Sequence, residues 1–400
     1  MMLHKKIKNE IVTNLTILFF SRHFNLYYLP LLLLLYLFLF SISNYSTVFI
    51  ILKVFSSLLL FPFWKDLKKE FHPEYFTRFL RNSLLIILYF LITIYYSENP
   101  QFGFTKLFIV IISYLPIILV TFLVIKSTGR REFFIYSLIA LASIGSIFAI
   151  LLSPFEYGTL YSFSFFRWSH VVFSRFICLA LLFNFYLILN TKRSDLLLNI
   201  TLQIILFGLL FSGARGTVAV AILCPLLLVL LSKSLFYNKI LIIVHVIFAL
   251  IIFIIFGPTL QQNRLLNSGE IILGKSEIDG SISNRISAFE ISVERWQKHP
   301  IGGLGLGGFN TFYKSDLPQK MVYPHNLLLE ILVEFGLVGM FLFLTFLFSL
   351  ITNLWKTRFE LTILFLYAFG LALFSKDLAS NPMLFAFIAI YFFKPPDTVS

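Results

Sequence analysis

Apolar runs close to the length of a bilayer-spanning helix recur along almost the whole chain, and they leave few folds open. Twelve such runs fall near residues 26–43, 46–64, 82–97, 105–125, 133–153, 170–190, 195–212, 216–232, 239–257, 326–352, 359–374 and 381–393. None shows the strict alternation of a membrane barrel strand. Helices are therefore expected as the spans, because a helix satisfies its own backbone groups inside lipid. With 58% of residues hydrophobic and only 13% charged, the chain lacks the polar surface that a soluble protein of 400 residues needs. The 50 phenylalanines suit lipid-facing surface. The expected fold class is all-α, a polytopic helical membrane protein of about twelve transmembrane helices. It forms one integral membrane domain over residues 1–400.

Charge then orients the spans. Basic residues cluster near 5–8, 65–81, 126–131, 192–193, 233–239 and 356–358, in every second loop. The short alternate loops hold only Lys106, Arg167, Arg215 and Lys376. The positive-inside bias places the first set, and both termini, in the cytoplasm. The same asymmetry accounts for the net charge of +13 without a nucleic-acid partner. No cleavable signal peptide is expected, since no small-residue cleavage site follows the run that begins near residue 26. Cys178 and Cys224 lie inside apolar runs and form no disulfide framework or zinc spacing.

Residues 258–324 form a long external loop. Within it, "SISNRISAFEISVERWQKHP" (281–300) has Ile286, Phe289, Val293 and Trp296 at helical spacing, with Ser283 able to cap the start and Pro300 after the end. This amphipathic helix is suited to lie on the membrane surface or on the bundle. "IGGLGLGGFN" (301–310) follows. It has Asn310 where a dinucleotide fingerprint needs its last glycine, and no βαβ unit surrounds it, so a flexible or close-packed turn is the favoured reading.

A few residues have chemical potential. Arg215 lies in "FSGARGTVA" (211–219), a very short outer turn. It either snorkels to the headgroups or binds an anion, to which Gly213 and Gly216 would allow close approach. Arg285 falls in the first turn expected for the amphipathic helix, as an exposed arginine or as part of a phosphate cradle at a helix start. His325 opens "PHNLLLEILVEFGLVG" (324–339), either as a headgroup-layer histidine beside the capping Asn326, or as a base. An unperturbed histidine, with a pKa near 6.5, can take a hydroxyl proton near neutral pH. No second histidine or cysteine stands at ligand spacing, so neither metal nor cofactor is expected. Glu330 and Glu334 share a helical face at i, i+4 and need partners so far inside a span; the outer arginines are the expected ones.

These pieces stand in one recognisable order. The "SGARG" turn, the long outer loop with "NR", "RW" and "HPIGGLGLGGF", and then "PHNLLLEILVEFGLVG" resemble the O-antigen ligase and O-antigen polymerase family. The motifs lie within 211–339 and are specific over 211–219 and 284–339. The resemblance implies transfer of a glycan from an undecaprenyl-diphosphate carrier to an acceptor hydroxyl on the periplasmic side of the bacterial inner membrane. It implies that Arg215 and Arg285 grip the diphosphate and that His325 is catalytic, within a pattern that includes Asn326 and Glu330. One departure is at "RWSHVVFSRFICLALLFN" (167–184), which lacks the small, Asn-rich signature often found there; Arg167 and Arg175 are read as replacing part of its polar function. A metal-independent, inverting transfer is the implied mechanism. Lipid A–core is the favoured acceptor, which makes a ligase. A polymerase extending a carrier-linked glycan and a protein O-oligosaccharyltransferase are alternatives. A non-enzymatic lipid or solute transporter would instead place charges and glycine-broken helices near the bilayer midplane.

Overall fold

The computed structural model describes residues 22–39, 47–60, 63, 73–152, 170–191, 195–212, 214–257, 262, 280–310, 323–357, 359–374 and 377–392. All regular structure in these residues is helical. The helices are α1 (Arg22–Leu39), α2 (Thr47–Leu58), α3 (Pro73–Tyr95), α4 (Pro100–Lys126), α5 (Thr128–Leu152), α6 (His170–Asn190) and α7 (Leu196–Phe211). They continue with α8 (Arg215–Leu231), α9 (Phe236–Phe256), α10 (Gly280–Lys298), α11 (Leu327–Thr357), α12 (Phe359–Phe374) and α13 (Pro382–Phe392), with a short 3₁₀ turn at Leu378–Ser380 before α13.

Each of the twelve apolar runs holds a helix, and α10 is the expected amphipathic one. By length and composition, five described helices can cross a membrane: α4, α5, α6, α9 and α11. Several others, including α7, α8 and α12, are apolar but shorter, and α2 and α13 run for only 12 and 11 residues. The chain is thus a multi-pass membrane protein by its helices.

Helix starts follow side-chain caps. Asn99 Oδ1 accepts the Phe102 N–H (3.2 Å), with Pro100 at the first helical position of α4. Asp195 Oδ1 accepts the Leu197 N–H (2.9 Å) at α7. Asn326 Oδ1 accepts the N–H groups of Leu328 and Leu329 (2.9 and 3.1 Å) at α11. The bundle core is one continuous apolar cluster, in which α5 packs on α7 and α1, α4 on α13 and α1, α8 on α12 and α6, and α11 on α12 and α10.

α11 is broken at Gly336, whose φ of 64° and ψ of −160° are non-helical. The sequence reads this stretch as one span. The break frees backbone groups, and the glycine-rich turn fills the gap. The N–H of Leu337 donates to the Pro300 carbonyl (2.9 Å), the N–H of Val338 to Ile301 (3.2 Å), and the N–H of Leu304 to Val333 (2.8 Å). Gly303, Gly305 and Gly307 all have positive φ. A Cβ on Gly303 would stand 2.5–2.6 Å from backbone atoms of Glu334, Phe335 and Gly336. On its other side the turn is held by the connection between α3 and α4: Ser97 Oγ donates to the Leu306 carbonyl (2.9 Å), and Tyr96 OH to Gly302 (2.8 Å). The run is therefore a close-packed turn.

α10 inserts its small residues. Ala288 and Ser292 are fully buried, and Ile291 and Trp296 pack on Leu304, Phe309 and Val333. Ile286 and Phe289 of the expected apolar stripe stay exposed. The inward face is rotated because small side chains let α10 approach α11 closely. α10 also begins at Gly280, so Ser283 lies in its first turn instead of capping it, and Arg285 lies in its second.

Candidate functional site

Helix direction places most of the candidate residues at one end of the bundle. α2, α4, α6, α8, α11 and α13 start there, and α3, α7 and α12 finish there. The loop-charge reading assigns this end to the outside.

His325 sits immediately before α11. Its φ is 58°, the left-handed region, and no other described non-glycine residue has a positive φ. Such a backbone costs on the order of 1–3 kcal/mol and persists only where the surroundings fix it. Here the Asn326 cap fixes it on one side. On the other, the imidazole meets the Tyr323 ring at 4.6 Å between centroids, with the planes tilted by 60°. The ring is half-buried. A polar heterocycle is thus presented at the mouth of the bundle with part of its surface accessible.

Arg215 is the first residue of α8, directly after Ala214. The Ala214 N–H donates to Ser212 Oγ (3.4 Å). A Cβ on Gly216 would lie 3.1 Å from Phe374 Cβ, so this glycine brings α8 close to α12. Within the first turn of α8, Thr217 Oγ1 accepts the Ser174 hydroxyl (3.1 Å), which ties the start of α8 to α6 beside Arg175.

Arg175 is buried, and its guanidinium is held within the protein: Nη1–H donates to Asn381 Oδ1 (3.0 Å) and Nη2–H to the Leu371 carbonyl (2.9 Å). Tyr367 OH donates to the Arg175 carbonyl (2.6 Å). Arg175 therefore joins α6 to α12 and to the turn before α13. It also lies within electrostatic reach of Arg285 and Tyr323. Arg285 is exposed on α10. Arg175 thus feels the charge of Arg285 at the surface and the presence of the tyrosine that flanks His325. Of the other expected residues, Arg167 lies outside the described residues.

Among the described residues, the ion-pair partner of Glu330 and Glu334 is a lysine inside the bundle. It is Lys106, whose Nζ lies 2.5 Å from Glu330 Oε1 and 2.7 Å from Glu334 Oε2. Lys106 was assigned to an outer loop by the sequence; it stands two turns inside α4 because Asn99 and Pro100 start that helix early. Glu330 Oε2 also accepts the Leu378 N–H (2.8 Å). Asp377, next in the chain, is buried and within electrostatic reach of Lys53, Lys106 and Arg175.

The buried charged side chains among the described residues are Lys53, Lys106, Arg175, Glu330, Glu334 and Asp377. Three formal positive charges meet three negative ones, so the cluster is neutral overall. Burying a lone ion costs several kcal/mol, and mutual pairing is what makes six such groups tolerable in a membrane bundle. Sequence reading flagged Arg175, Glu330 and Glu334, but missed Lys106 and Asp377. Their signal was a charged residue flanked by apolar helix on the side away from the turn.

On the surface of α10, Lys298 bonds Glu294 (2.8 Å) and holds its carboxyl below the usual range. This i, i+4 pair is solvated and remote from His325 in the chain, so it adds little to the site.

Residues 200–344 match the family model described as O-antigen ligase. The matched segment contains Arg215, Arg285, His325, Glu330 and Glu334. No curated protein matches the chain.

Proposed function

We propose that this chain, an O-antigen ligase family member through residues 200–344, transfers a glycan from undecaprenyl diphosphate to an acceptor hydroxyl at the periplasmic face of the bacterial inner membrane. The observation that carries the reading is His325, held in a left-handed backbone against Tyr323 within the matched segment. Strained residues with accessible polar side chains cluster at functional sites.

In this mechanism Arg215 and Arg285 bind the donor diphosphate, and Arg175 adds positive field from inside the bundle. His325 accepts the acceptor's hydroxyl proton as the oxygen attacks the anomeric carbon. A carbon–oxygen bond to the acceptor forms, and the bond from that carbon to the diphosphate oxygen breaks. The electron pair leaves with undecaprenyl diphosphate, whose growing charge the arginines stabilise. Attack from the face opposite the leaving group inverts the anomeric carbon. The reaction draws its driving force from the diphosphate linkage and needs no metal. Lipid A–core is the favoured acceptor, with a carrier-linked glycan as the polymerase alternative and a protein hydroxyl as a third.

Transfer is tested by giving purified protein in lipid nanodiscs the carrier-linked glycan with each acceptor class, and identifying products by mass. His325→Ala should lose about 10²–10⁴ in transfer rate while still binding donor. A folded His325→Ala protein with near-normal turnover removes the base and the mechanism with it.

A further inference from the structure

Lys106 stands on α4, far in sequence from the motifs of the matched segment, yet it holds two residues of that segment at once. Glu330 and Glu334 are one helical turn apart, and a single ammonium bridges both at 2.5 and 2.7 Å. A cation shared by an i, i+4 pair fixes a helix in two senses. It sets the rotation, because only one face of α11 can present both carboxylates. It also sets the height, since a shift of one residue, about 1.5 Å, would break one of the two short contacts. Glu330 extends the hold to the turn before α13 through the Leu378 N–H, so α4, α11 and that turn meet at one carboxylate.

The clamp lies close to His325 along the chain. The Glu330 N–H donates to the Asn326 carbonyl (3.0 Å), in the first turn of α11. The Asn326 side chain caps the same turn, and His325 is the residue before it. Below the clamp, the Gly336 break removes the ordinary ladder that would otherwise carry rigidity up from the rest of α11. The short segment from His325 to Phe335 therefore takes its position from the glycine-rich turn on one side and from Lys106 on the other.

We infer that Lys106 is a positioning residue: by clamping Glu330 and Glu334 it fixes the upper segment of α11 and so the backbone that presents His325. The consequence for chemistry rests on the proposed role of His325 as base, whereas the consequence for geometry does not. A displacement of about 1 Å in a reacting group costs roughly a hundredfold in rate, without altering how the donor is held.

Three variants of the full chain in nanodiscs test this. Lys106→Met leaves two buried carboxylates without their cation. Lys106→Arg keeps the charge. A third variant, Lys106→Met/Glu330→Met/Glu334→Met, removes the clamp without stranding either carboxylate, so it should fold in better yield than Lys106→Met. Two readouts are taken on folded protein: kcat and donor KM for transfer, and the rate at which diethyl pyrocarbonate modifies His325, followed by peptide mass. In the triple variant kcat should fall between about tenfold and a hundredfold, with KM within about threefold of wild type, and the His325 modification rate should change severalfold. Lys106→Arg should recover kcat and the modification rate beyond Lys106→Met. A triple variant with wild-type kcat and modification rate overturns the inference, as does a fall confined to folded yield or to donor KM. If His325→Ala retains transfer, the base reading fails alone, and the modification rates still decide whether Lys106 positions this segment.

Discussion

Replacing Gly303 with alanine isolates the contact between the glycine-rich turn and the broken helix. Gly303 has a φ of 71°, and an added Cβ would lie 2.5 Å from the Glu334 carbonyl carbon and 2.6 Å from the Gly336 nitrogen. These are backbone atoms of a packed helix and cannot swing aside. A left-handed alanine costs about 1–2 kcal/mol. Forcing one methyl group into a filled space costs about 1–3 kcal/mol more. The sum, about 2–5 kcal/mol, corresponds to roughly thirtyfold to several thousandfold in the equilibrium between docked and undocked turn. Gly302→Ala is the matched control, because its Cβ would meet nothing nearer than Tyr96 OH at 3.4 Å. Hydrogen exchange followed by mass spectrometry reads the effect directly. The amides of Leu304, Leu337 and Val338 are the ones bonded across the contact. Peptides covering 300–310 and 333–340 should lose protection by a comparable factor in Gly303→Ala, up to the limit set by global unfolding, and little in Gly302→Ala. Equal protection in the two variants would refute the docking argument.

Arg215→Ala and Arg285→Ala should each lose most transfer while inserting and folding normally, and lysine at either position should recover part, since charge survives while the planar fork does not. Product assays on purified variants decide this, and wild-type turnover in both alanine proteins would remove the arginines from the mechanism. Cysteines placed at residues 270 and 316 should react with an impermeant maleimide in spheroplasts, whereas one at 69 should not; labelling at 69 alone would invert the orientation and place the His325 end in the cytoplasm.

Hydrophobic run length located helices well because burial in lipid is decided by composition over many residues. α6 and α12 match their expected bounds. It located breaks and partners poorly. Gly336 lies in an uninterrupted apolar stretch, and only the three positive-φ glycines of a distant turn explain why α11 opens there. Likewise, Glu330 and Glu334 announced a need for counter-charge, but the cation came from α4, more than two hundred residues away in sequence. An assignment of Lys106 to a loop concealed it, because an apolar-run reading starts a helix at its first greasy residue and not at its cap. The face of α10 was misjudged for a related reason. Large apolar residues marked a stripe, whereas the close contact was made by Ala288 and Ser292.

The buried charges and the broken helix bear on the choice between a transferase and a transporter. Charged groups and interrupted helices near the midplane are what a transporter would show. Here both are present, so their placement and occupancy must decide. Lys53, Lys106, Arg175, Glu330 and Glu334 all fall within the first eight residues of their helices, and Asp377 lies in the turn between α12 and α13. At 1.5 Å per residue, none of the five is more than roughly 12 Å from its helix start. The cluster is also balanced, three against three, with Lys106 already shared by two carboxylates and Arg175 already bonded to Asn381 and Leu371. A transport site must exchange such partners for its cargo. The break in α11 is likewise filled, its freed N–H groups donating to Pro300 and Ile301 and its Val333 carbonyl accepting from Leu304. A broken helix that binds solute presents those groups to a cavity. Charge spent on holding helices together at one end, beneath an accessible histidine, favours a fixed surface on which two substrates meet over a helix that moves between two sides.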